Sequence, residues 1–392
     1  MTNERGEAQA GLDGRFSRQV LPEGSATDEF APDTLKPNID NDAAPRVLHW
    51  LPGVFLLAAV VVGGLLTVTS KGARTLSNGQ DVVTGAWAHT YETGLDAGVP
   101  FRDPSVSLLG TVSYRLFHEA REGALVGSDG WLYTSEEFQT SAPKVDQADV
   151  AQKLTYIREV RDQLKAQGTD LIVALVPAKV RVYPEHLGSL QVPVVKANLY
   201  QDFRAHVLAL GVPAPDLYAA LVKAKSQGEV FIRTDTHWSP FGAQVVAGVI
   251  SAAVKQDFPR LDLPAASFQT TLAAAPVPLG DLLRYLPLPK GQGPQAVMVR
   301  IPTTTKSGAG GGLLGEDPVA VTLVGTSYSA VKDWNFEGAL KQALGADVLN
   351  VADAGQGPVV PMRAYLKSQA IKDAPPKLVI WEIPERFLRF KY

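Results

Sequence analysis

Two short motifs in this 392-residue chain combine residue types that can do acid–base and nucleophilic chemistry. The first is TDTHWS at 234–239, which places Asp235 two residues before His237. In an extended segment these side chains point to the same side, so the carboxylate can fix the tautomer of the histidine. The second is GTSYS at 325–329, in which Ser327 offers a hydroxyl. A serine becomes a strong nucleophile once a neighbouring base accepts its proton.

Each motif also has a plain structural explanation. An Asp-x-His pair is often a hydrogen-bonding or capping pair, and Gly-Thr-Ser is often a turn with a capping serine. Their placement favours chemistry. The first motif follows a strand predicted at 229–233, and Ser327 follows a strand predicted at 319–324. Open α/β sheets place their sites at the carboxyl ends of strands, so we expect Asp235, His237 and Ser327 to converge there.

The segments around these motifs alternate between strand and helix patterns. Continuous apolar runs of strand length, typical of strands buried on both faces, occur at 171–176, 319–324 and 377–383, with a further candidate at 347–351. Helical periodicity, or a helix start signal, occurs at 149–167, 197–210, 240–254 (with Ser239 as its cap) and after Pro358. The alternation predicts an α/β domain with a mostly parallel sheet. Many Pro, Gly and Thr residues at 263–315 predict an insertion or long loops.

One apolar segment stands near the N-terminus. Residues 47–68 read VLHWLPGVFLLAAVVVGGLLTV and contain no Asp, Glu, Lys or Arg. As a helix they would be about 33 Å long, which matches a hydrocarbon core of about 30 Å. We predict a transmembrane helix rather than a buried core helix or a cleaved signal peptide. Basic residues flank the segment equally on both sides, so the positive-inside rule does not orient it.

Composition divides the rest of the chain and excludes several classes of protein. We predict a disordered tail at 1–46, a juxtamembrane connector at 69–110 and a globular domain at 111–392. A net charge of −3 gives no sign of a nucleic-acid surface. The absence of cysteine excludes disulfides, a thiol nucleophile and a thiolate metal site. Because the histidines lack ligand spacing, we expect neither a metal nor a cofactor.

An ordered series of motifs runs along the globular part. It consists of PFR at 100–102, VGSDGWLY at 126–133, LVPAKVRVYPEHL at 175–187, TDTHWSPFGA at 234–243, GDLL at 280–283, LVGTSYS at 323–329 and WEIPERFL at 381–388. In these motifs the chain resembles the alginate O-acetyltransferase group of the AlgJ and AlgX type. The resemblance implies an SGNH-hydrolase-like three-layer domain. It also implies Ser327 as nucleophile, His237 as base and Asp235 as the residue that orients the base, in the permuted order of that group.

The resemblance further implies a reaction, a location and partners. An acetyl group would pass through an acyl-serine onto hydroxyls of an exported polysaccharide, whether alginate, cellulose or another exopolysaccharide. A polytopic MBOAT-type membrane acyltransferase would deliver the acetyl group, and a polysaccharide synthase or export complex would be a partner. The chain would cross the inner membrane once, with its tail cytoplasmic and its catalytic domain in the periplasm. An acetyl esterase with the same triad and a non-catalytic scaffold remain alternatives.

Further residues are expected to contribute to the site. AlgX-type members carry a carbohydrate-binding module after the catalytic domain; with none expected here, the grip on the polymer should be weaker or supplied by a partner. Oxyanion donors are expected at the Ser327 amide and at Gly355, Gln356 and Gly357. A sugar site at the carboxyl edge of the sheet, or else a solvated loop, is expected around Lys179, Arg181 and Tyr183, with Trp238 and Tyr328 as further sugar contacts. Glu382 and Arg386, four residues apart, are predicted to form a local ion pair.

Overall fold

The computed structural model describes residues 47–69, 82–99, 101–307 and 319–389. The tail predicted at 1–46 lies outside these residues. The helices are α1 (Val47–Thr69), α2 (Ala86–Ala97), α3 (Arg102–Val112), α4 (Pro143–Ala166), α5 (Lys179–Val182), α6 (Leu199–Ala209), α7 (Leu217–Ala224), α8 (Pro240–Asp257), α9 (Ser327–Ala330), α10 (Phe336–Leu344), α11 (Val359–Lys367) and α12 (Gln369–Asp373). Short 3₁₀ or π turns, among them a π-helical turn at Ser113–Phe117 directly after α3, connect several of them.

The strands form one central sheet and three small ribbons. They are β1 (Ala124–Val126), β2 (Leu132–Thr134), β3 (Asp170–Val176), β4 (Phe268–Leu272), β5 (Val277–Leu279), β6 (Val297–Val299), β7 (Pro302–Lys306), β8 (Val321–Val324), β9 (Val348–Asn350) and β10 (Leu378–Pro384). The central sheet has the order β3-β10-β8-β9, and every pair in it is parallel. The predicted parallel sheet is therefore confirmed, and the four strands predicted from apolar runs form it.

Helices cover both faces of the sheet, which explains why its strands are apolar throughout. Alternate side chains of β3, such as Ile172 and Ala174, face a core that α7, α8 and α10 complete. The intervening side chains, such as Val173 and Leu175, face a second core with α4, α6 and α11. This alternation follows from the two-residue period of a strand. The result is the three-layer α/β domain that the resemblance implied.

The strand predicted at 229–233 is wrong. Only Phe231 forms a bridge there, and its partner is Trp238 on the same segment. The amide of Ile232 donates to the carbonyl of His237 at 3.1 Å, so the chain folds back on itself instead of entering the sheet. An apolar segment can be buried equally well as a strand or as a tight loop, and here the loop form presents Asp235 and His237 together.

The insertion expected at 263–315 contains two antiparallel ribbons, β4–β7 and β5–β6. A 3₁₀ turn at Asp281–Tyr285 follows β5 and returns the chain to the loop that carries Asp235. Residues 308–318 lie outside the described part of the chain. The insertion is thus a structured addition beside the sheet that contributes directly to the neighbourhood of the motif.

The N-terminal part of the described chain is helical. Helix α1 is long and apolar enough to cross a membrane, as its sequence predicted. The segment predicted as a connector contains α2 and α3, in neither of which a residue is buried. Helix α8 begins as predicted, with the Ser239 hydroxyl accepting a hydrogen bond from the Gly242 amide and Pro240 in the first turn.

Candidate active site

Asp235, His237 and Ser327 form one continuous hydrogen-bond relay. The Nδ1 atom of His237 lies 2.8 Å from Oδ1 of Asp235, and its Nε2 atom lies 2.7 Å from Oγ of Ser327. Asp235 and His237 are buried, whereas Ser327 is partly exposed. In this geometry the carboxylate orients the imidazole and the free imidazole nitrogen can accept the hydroxyl proton. The two motifs, 90 residues apart in the chain, therefore meet in the arrangement that a nucleophile, a base and an orienting acid require.

The Asp235 carboxylate is held in its ionised form. Burial raises the pKa of Asp235, but the hydrogen bonds and charge of His237 and the Asp281 amide outweigh it, so the pKa lies below its ordinary value. The Asp281 amide donates to Oδ2 at 2.8 Å, which leaves Oδ1 for the histidine. Burial and the charge of Asp235 raise the pKa of Asp281 itself. An ionised Asp235 is what keeps the imidazole in the tautomer that accepts from Ser327.

A buried lysine holds the loop that carries Asp235 and His237. The Nζ atom of Lys179 donates to the carbonyls of Ile232, Arg233 and Asp235 at 2.8, 3.0 and 2.8 Å, and to that of Leu132 at 2.6 Å. Burial lowers the pKa of Lys179 to about 7, against the attraction of nearby carboxylates. The cation therefore satisfies carbonyls that the tight loop turns into the core.

A buried glutamate holds the turn that carries Ser327. The carboxylate of Glu382 on β10 accepts from the Thr326 amide at 2.7 Å and from the hydroxyls of Thr326 and Ser329 at 3.1 Å. Gly325 allows this approach, because a Cβ at that position would overlap Glu382 Oε2. Burial raises the pKa of Glu382 to about 7. Ser327 therefore lies at the start of α9, on a turn that the Glu382 carboxylate holds through Thr326 and Ser329.

Aromatic rings pack around His237. The Trp334 ring stacks on it at a centroid distance of 5.0 Å, and Tyr328 meets it edge-on at 4.9 Å. The Tyr328 hydroxyl donates to the Thr236 carbonyl at 2.9 Å, which ties the two motifs together. These contacts restrict the imidazole to the orientation that reaches Ser327.

Asp235, His237 and Asp281 bring three potential metal ligands within 4.8 Å of one another. Their donor atoms already serve other partners: His237 Nδ1 bonds to Asp235, whose second oxygen accepts from the Asp281 amide. Oδ1 of Asp281 accepts from the Thr236 amide at 2.7 Å. The arrangement therefore fits a hydrogen-bonded triad better than a metal centre.

Comparison with known proteins places this domain in a family. Residues 124–385, which include all three triad residues, match the family described as SGNH hydrolase-like domain, acetyltransferase AlgX. The chain belongs to this AlgX family. It is 42% identical over 348 residues to the probable alginate O-acetylase AlgJ of Pseudomonas syringae pv. tomato, covering 85% of this chain and 88% of that protein. With the AlgJ of Pseudomonas aeruginosa it shares 41% over 323 residues, covering 78% and 81%.

A solved structure agrees with this membership. The O-acetyltransferase domain of Pseudomonas putida AlgJ superposes with a TM-score of 0.63 at 41% identity, covering 69% of this chain and 94% of that one. The SGNH-hydrolase-like fold and the family predicted from the ordered motifs are therefore confirmed.

The residues predicted to line a sugar site lie mostly in the interior of this AlgX-family chain. All five are committed to the interior: Lys179, Tyr183, Trp238 and Tyr328 are buried, and Arg181 is mostly so. Arg181 pairs with Glu385 at 2.5 Å and donates to the carbonyls of Lys196 and Ala197. The Tyr183 hydroxyl accepts from the Val230 amide. Their burial and their partners inside the domain do not favour direct contact with a sugar.

The expected oxyanion donors fall beside the nucleophile turn. The Asp353 amide donates to the Gly325 carbonyl at 3.1 Å, which brings the loop containing Gly355, Gln356 and Gly357 next to this turn. Gly355 and Gln356 are exposed, and Gly357 is buried. The Ser327 amide opens a helix and has no intrahelical acceptor. Their role as oxyanion donors stays a prediction.

Two features of the site were not predicted from the sequence. Glu382 was predicted to pair with Arg386, but it holds Thr326 and Ser329, while the Arg386 guanidinium lies 3.1 Å from Glu136. The Asp281 amide supports Asp235 from the insertion. Asp281 lies in GDLL at 280–283, one of the motifs that the chain shares with the family, and this shared motif was the signal that could have indicated its role.

Proposed function

We propose that the protein is a serine-dependent O-acetyltransferase that moves acetyl groups onto hydroxyls of alginate. The observation that carries the proposal is the relay from Asp235 through His237 to Ser327, with the 2.7 Å contact between Nε2 and Oγ. The names of the AlgJ relatives, which are probable alginate O-acetylases, supply the reaction and the polymer. Neither name refers to cellulose, which we do not carry forward.

In the first half of the reaction, Ser327 Oγ attacks the carbonyl carbon of an acetyl donor. His237 Nε2 accepts the hydroxyl proton and then passes it to the departing group of the donor. Asp235 stabilises the imidazolium that exists between these two transfers. In this proposal the Ser327 amide and the 355–357 loop donate hydrogen bonds to the negatively charged carbonyl oxygen. The product is an acetyl ester on Ser327.

In the second half, a sugar hydroxyl replaces the donor. His237 accepts the hydroxyl proton as the sugar oxygen attacks the acetyl carbon, and it returns the proton to Ser327 Oγ as the ester bond breaks. Water in place of the sugar would give free acetate. The same triad therefore supports an esterase, and the acceptor decides between the two activities.

The location and partners complete the proposal. Helix α1 is a single membrane-spanning anchor in the inner membrane, with residues 1–46 cytoplasmic and the catalytic domain in the periplasm. A polytopic MBOAT-type acyltransferase supplies the acetyl group, and the enzyme works beside the polymer synthesis and export complex. The apolar length of α1 and the names of the relatives support this arrangement.

The test uses the purified full chain, p-nitrophenyl acetate as donor and an oligouronate as acceptor. We expect a transient acetyl adduct on Ser327 by mass spectrometry and acetylated oligosaccharide as product. Ser327→Ala should abolish both, with a loss of about 10⁴-fold or more in rate, since the members of a triad act as a unit. Ser226→Ala is the matched control, because Ser226 is an exposed serine outside the site.

The outcomes separate the alternatives. Free acetate without sugar product, at every acceptor concentration, would establish the esterase. An acetyl adduct that survives in Ser327→Ala would remove the proposed nucleophile. A Ser327→Ala strain whose polymer is acetylated normally would leave only a scaffold role.

A further inference from the structure

A helix between the apolar anchor and the catalytic domain carries an apolar stripe. Leu108, Leu109 and Val112 of α3 and Leu116 of the following π-helical turn have 68%, 67%, 38% and 70% of their surface exposed. Their spacing places them within about 100° of arc on one helical face. Within the described part of the chain, nothing covers this face, and α3 has no buried residue. We call these four residues the apolar stripe.

The opposite face of α3 is fixed to the catalytic domain. Gly110 lies directly against Pro287, since a Cβ at Gly110 would come within 2.7 Å of the proline ring and 2.9 Å of its carbonyl oxygen. Tyr114 in the π-helical turn packs against a small apolar cluster that includes Leu282. The helix is therefore docked on the domain with its apolar stripe outward.

Helix α1 identifies what the apolar stripe meets. Phe101, which caps α3, packs against Gly63 of α1 so closely that a Cβ at Gly63 would overlap its ring. Gly63 is six residues before the end of α1 at Thr69, or about 9 Å along the helix axis. Leu108 and Val112 lie within about 20° of Phe101 around α3. The apolar stripe therefore starts beside α1 and continues along the same side of α3 as Phe101, the residue that contacts α1.

Neighbouring residues have the character of a membrane interface. Helix α2 packs beside α1 and carries Trp87 stacked on Tyr91 at a centroid distance of 5.5 Å. Tryptophan and tyrosine concentrate where the apolar layer of a bilayer meets water. Away from α3 and the turn after it, the exposed large apolar residues of the described domain come one or two at a time along the chain, as at Val145, Leu208 and Val360. Scattered apolar residues are ordinary on soluble surfaces, whereas a continuous stripe next to an anchor is not.

We propose that the apolar stripe lies in the boundary between headgroups and acyl chains of the membrane that α1 crosses. An amphipathic helix binds there by burying its apolar face about 5–10 Å deep. The catalytic domain would then be attached at two places, the anchor and the stripe, which fixes its orientation and the height of Ser327 above the lipid. The inference rests on the membrane-spanning role of α1 and not on acetyl transfer.

The experiment exploits the absence of cysteine from the chain. The full protein is reconstituted into single-copy nanodiscs of phosphatidylethanolamine and phosphatidylglycerol, with or without bromine on the acyl chains. An environment-sensitive fluorophore is attached in separate variants at Leu109→Cys and Leu116→Cys. Leu57→Cys on α1 is the control inside the lipid, and Val194→Cys, 89% exposed on the domain, is the control in water.

We expect brominated lipid to quench the labels at 109 and 116 about twofold or more, and the label at 194 hardly at all. Quenching at 57 but at neither stripe position would overturn the proposal while the anchor stands. Absence of quenching at 57 would overturn both. If the fluorescence of the labels at 109 and 116 changed only in discs that hold two chains, the apolar stripe would be a contact between copies of the chain, and the proposal would be wrong. Acylation of Ser327 is measured on each variant, so a failure of the proposed chemistry is seen separately.

Discussion

The two loops that meet in the candidate active site are held from beneath by charges of opposite sign. The loop at 232–237 turns its carbonyls inward and is held by the ammonium group of Lys179. The turn at 325–329 turns an amide and two hydroxyls inward and is held by the carboxylate of Glu382. Both side chains are almost completely buried.

The difference between the loops follows from backbone polarity. A tight loop that exposes carbonyls to the core requires a donor, and a helix start that exposes N–H groups requires an acceptor. Lys179 directly follows the edge strand β3, and Glu382 lies on β10, the strand that pairs with β3, so both charges come from the same side of the sheet. Burial moves both pKa values to about 7, upward for Glu382 and downward for Lys179. The inward carbonyls of the first loop are therefore bound by a cation, and the inward N–H and O–H groups of the second by a carboxylate.

The largest effect is expected when the cation under the first loop is removed. Lys179→Met leaves the carbonyls of Ile232, Arg233 and Asp235 without their donor, and at about 1–3 kcal/mol for each unsatisfied group this should cost about 3 kcal/mol or more of unfolding free energy. Because small displacements of a base are expensive, the rate of Ser327 acylation should fall about 100-fold. Chemical denaturation and single-turnover acylation measure the two effects.

Lys196→Met is the matched control for that variant. Lys196 is similarly buried and donates to the carbonyls of Glu136 and Glu137, away from the loop at 232–237. It should lose stability but keep its kcat within about threefold, since it leaves the catalytic geometry intact. Equal losses of kcat in both variants would mean that Lys179 contributes only general stability. A fall in kcat with unchanged KM, confined to Lys179→Met, is the signature of positioning.

A smaller effect is expected from crowding the anion under the second loop. In Gly325→Ala the new methyl group would overlap Glu382 Oε2 and come within 2.8 Å of Ser329 Oγ, in a buried turn. Overpacking of this kind costs about 1–3 kcal/mol, and we expect acylation to slow roughly tenfold. Gly248→Ala is the control: it lies in α8 with open space around it and should stabilise the helix slightly. An unchanged rate in Gly325→Ala would show that the Glu382 contact does not set the position of Ser327.

Much of the fold could be predicted because its signals are local. The runs at 171–176 and 377–383 are long and apolar enough to be buried strands, and Ser239-Pro240 marks the start of α8. The same local signal failed at 229–233, where an apolar segment packs as a loop against Trp238. Local pattern cannot distinguish these two ways of burying the same side chains.

The meeting of Asp235, His237 and Ser327 could be predicted, but the groups that hold them in position could not. A lysine after a strand is usually solvated, and nothing near Lys179 in the sequence indicates that carbonyls some 50 residues away will surround it. Glu382 was assigned a partner on its own segment because helical spacing was the only available guide. The Asp281 amide is a backbone group, so no side-chain identity announces its bond to Asp235. Buried charges are specified by distant loops, which is information that only the folded chain contains.

The mildest effect on rate, and the sharpest test of charge matching, is expected from Glu382→Gln. Glutamine keeps an acceptor for the Thr326 amide, so acylation should slow less than about tenfold.

The free energy of unfolding should depend on pH in a defined direction. Because the folded-state pKa of Glu382 is raised to about 7 from an ordinary 4.5, the native protein binds the extra proton between these values. The wild type should therefore lose stability relative to Glu382→Gln as pH rises from about 4.5 to 7, by roughly 3 kcal/mol at most.

Glu185→Gln provides a control of opposite sign. Burial raises the pKa of Glu185, but the hydrogen bond from Lys225 outweighs it, and the pKa lies below its ordinary value. The wild type should therefore gain stability relative to Glu185→Gln as pH rises through the range below about 4.5, by a small amount because the pair is partly exposed. Denaturant unfolding at each whole pH from about 3 to 8 gives both curves. If the Glu382 difference were flat between pH 5 and 8, the carboxylate would carry no penalty for burial. Glu382 would then be ionised in both the folded and the unfolded state across that range, and the hydrogen bonds from Thr326 and Ser329 would offset the whole cost of burying its charge.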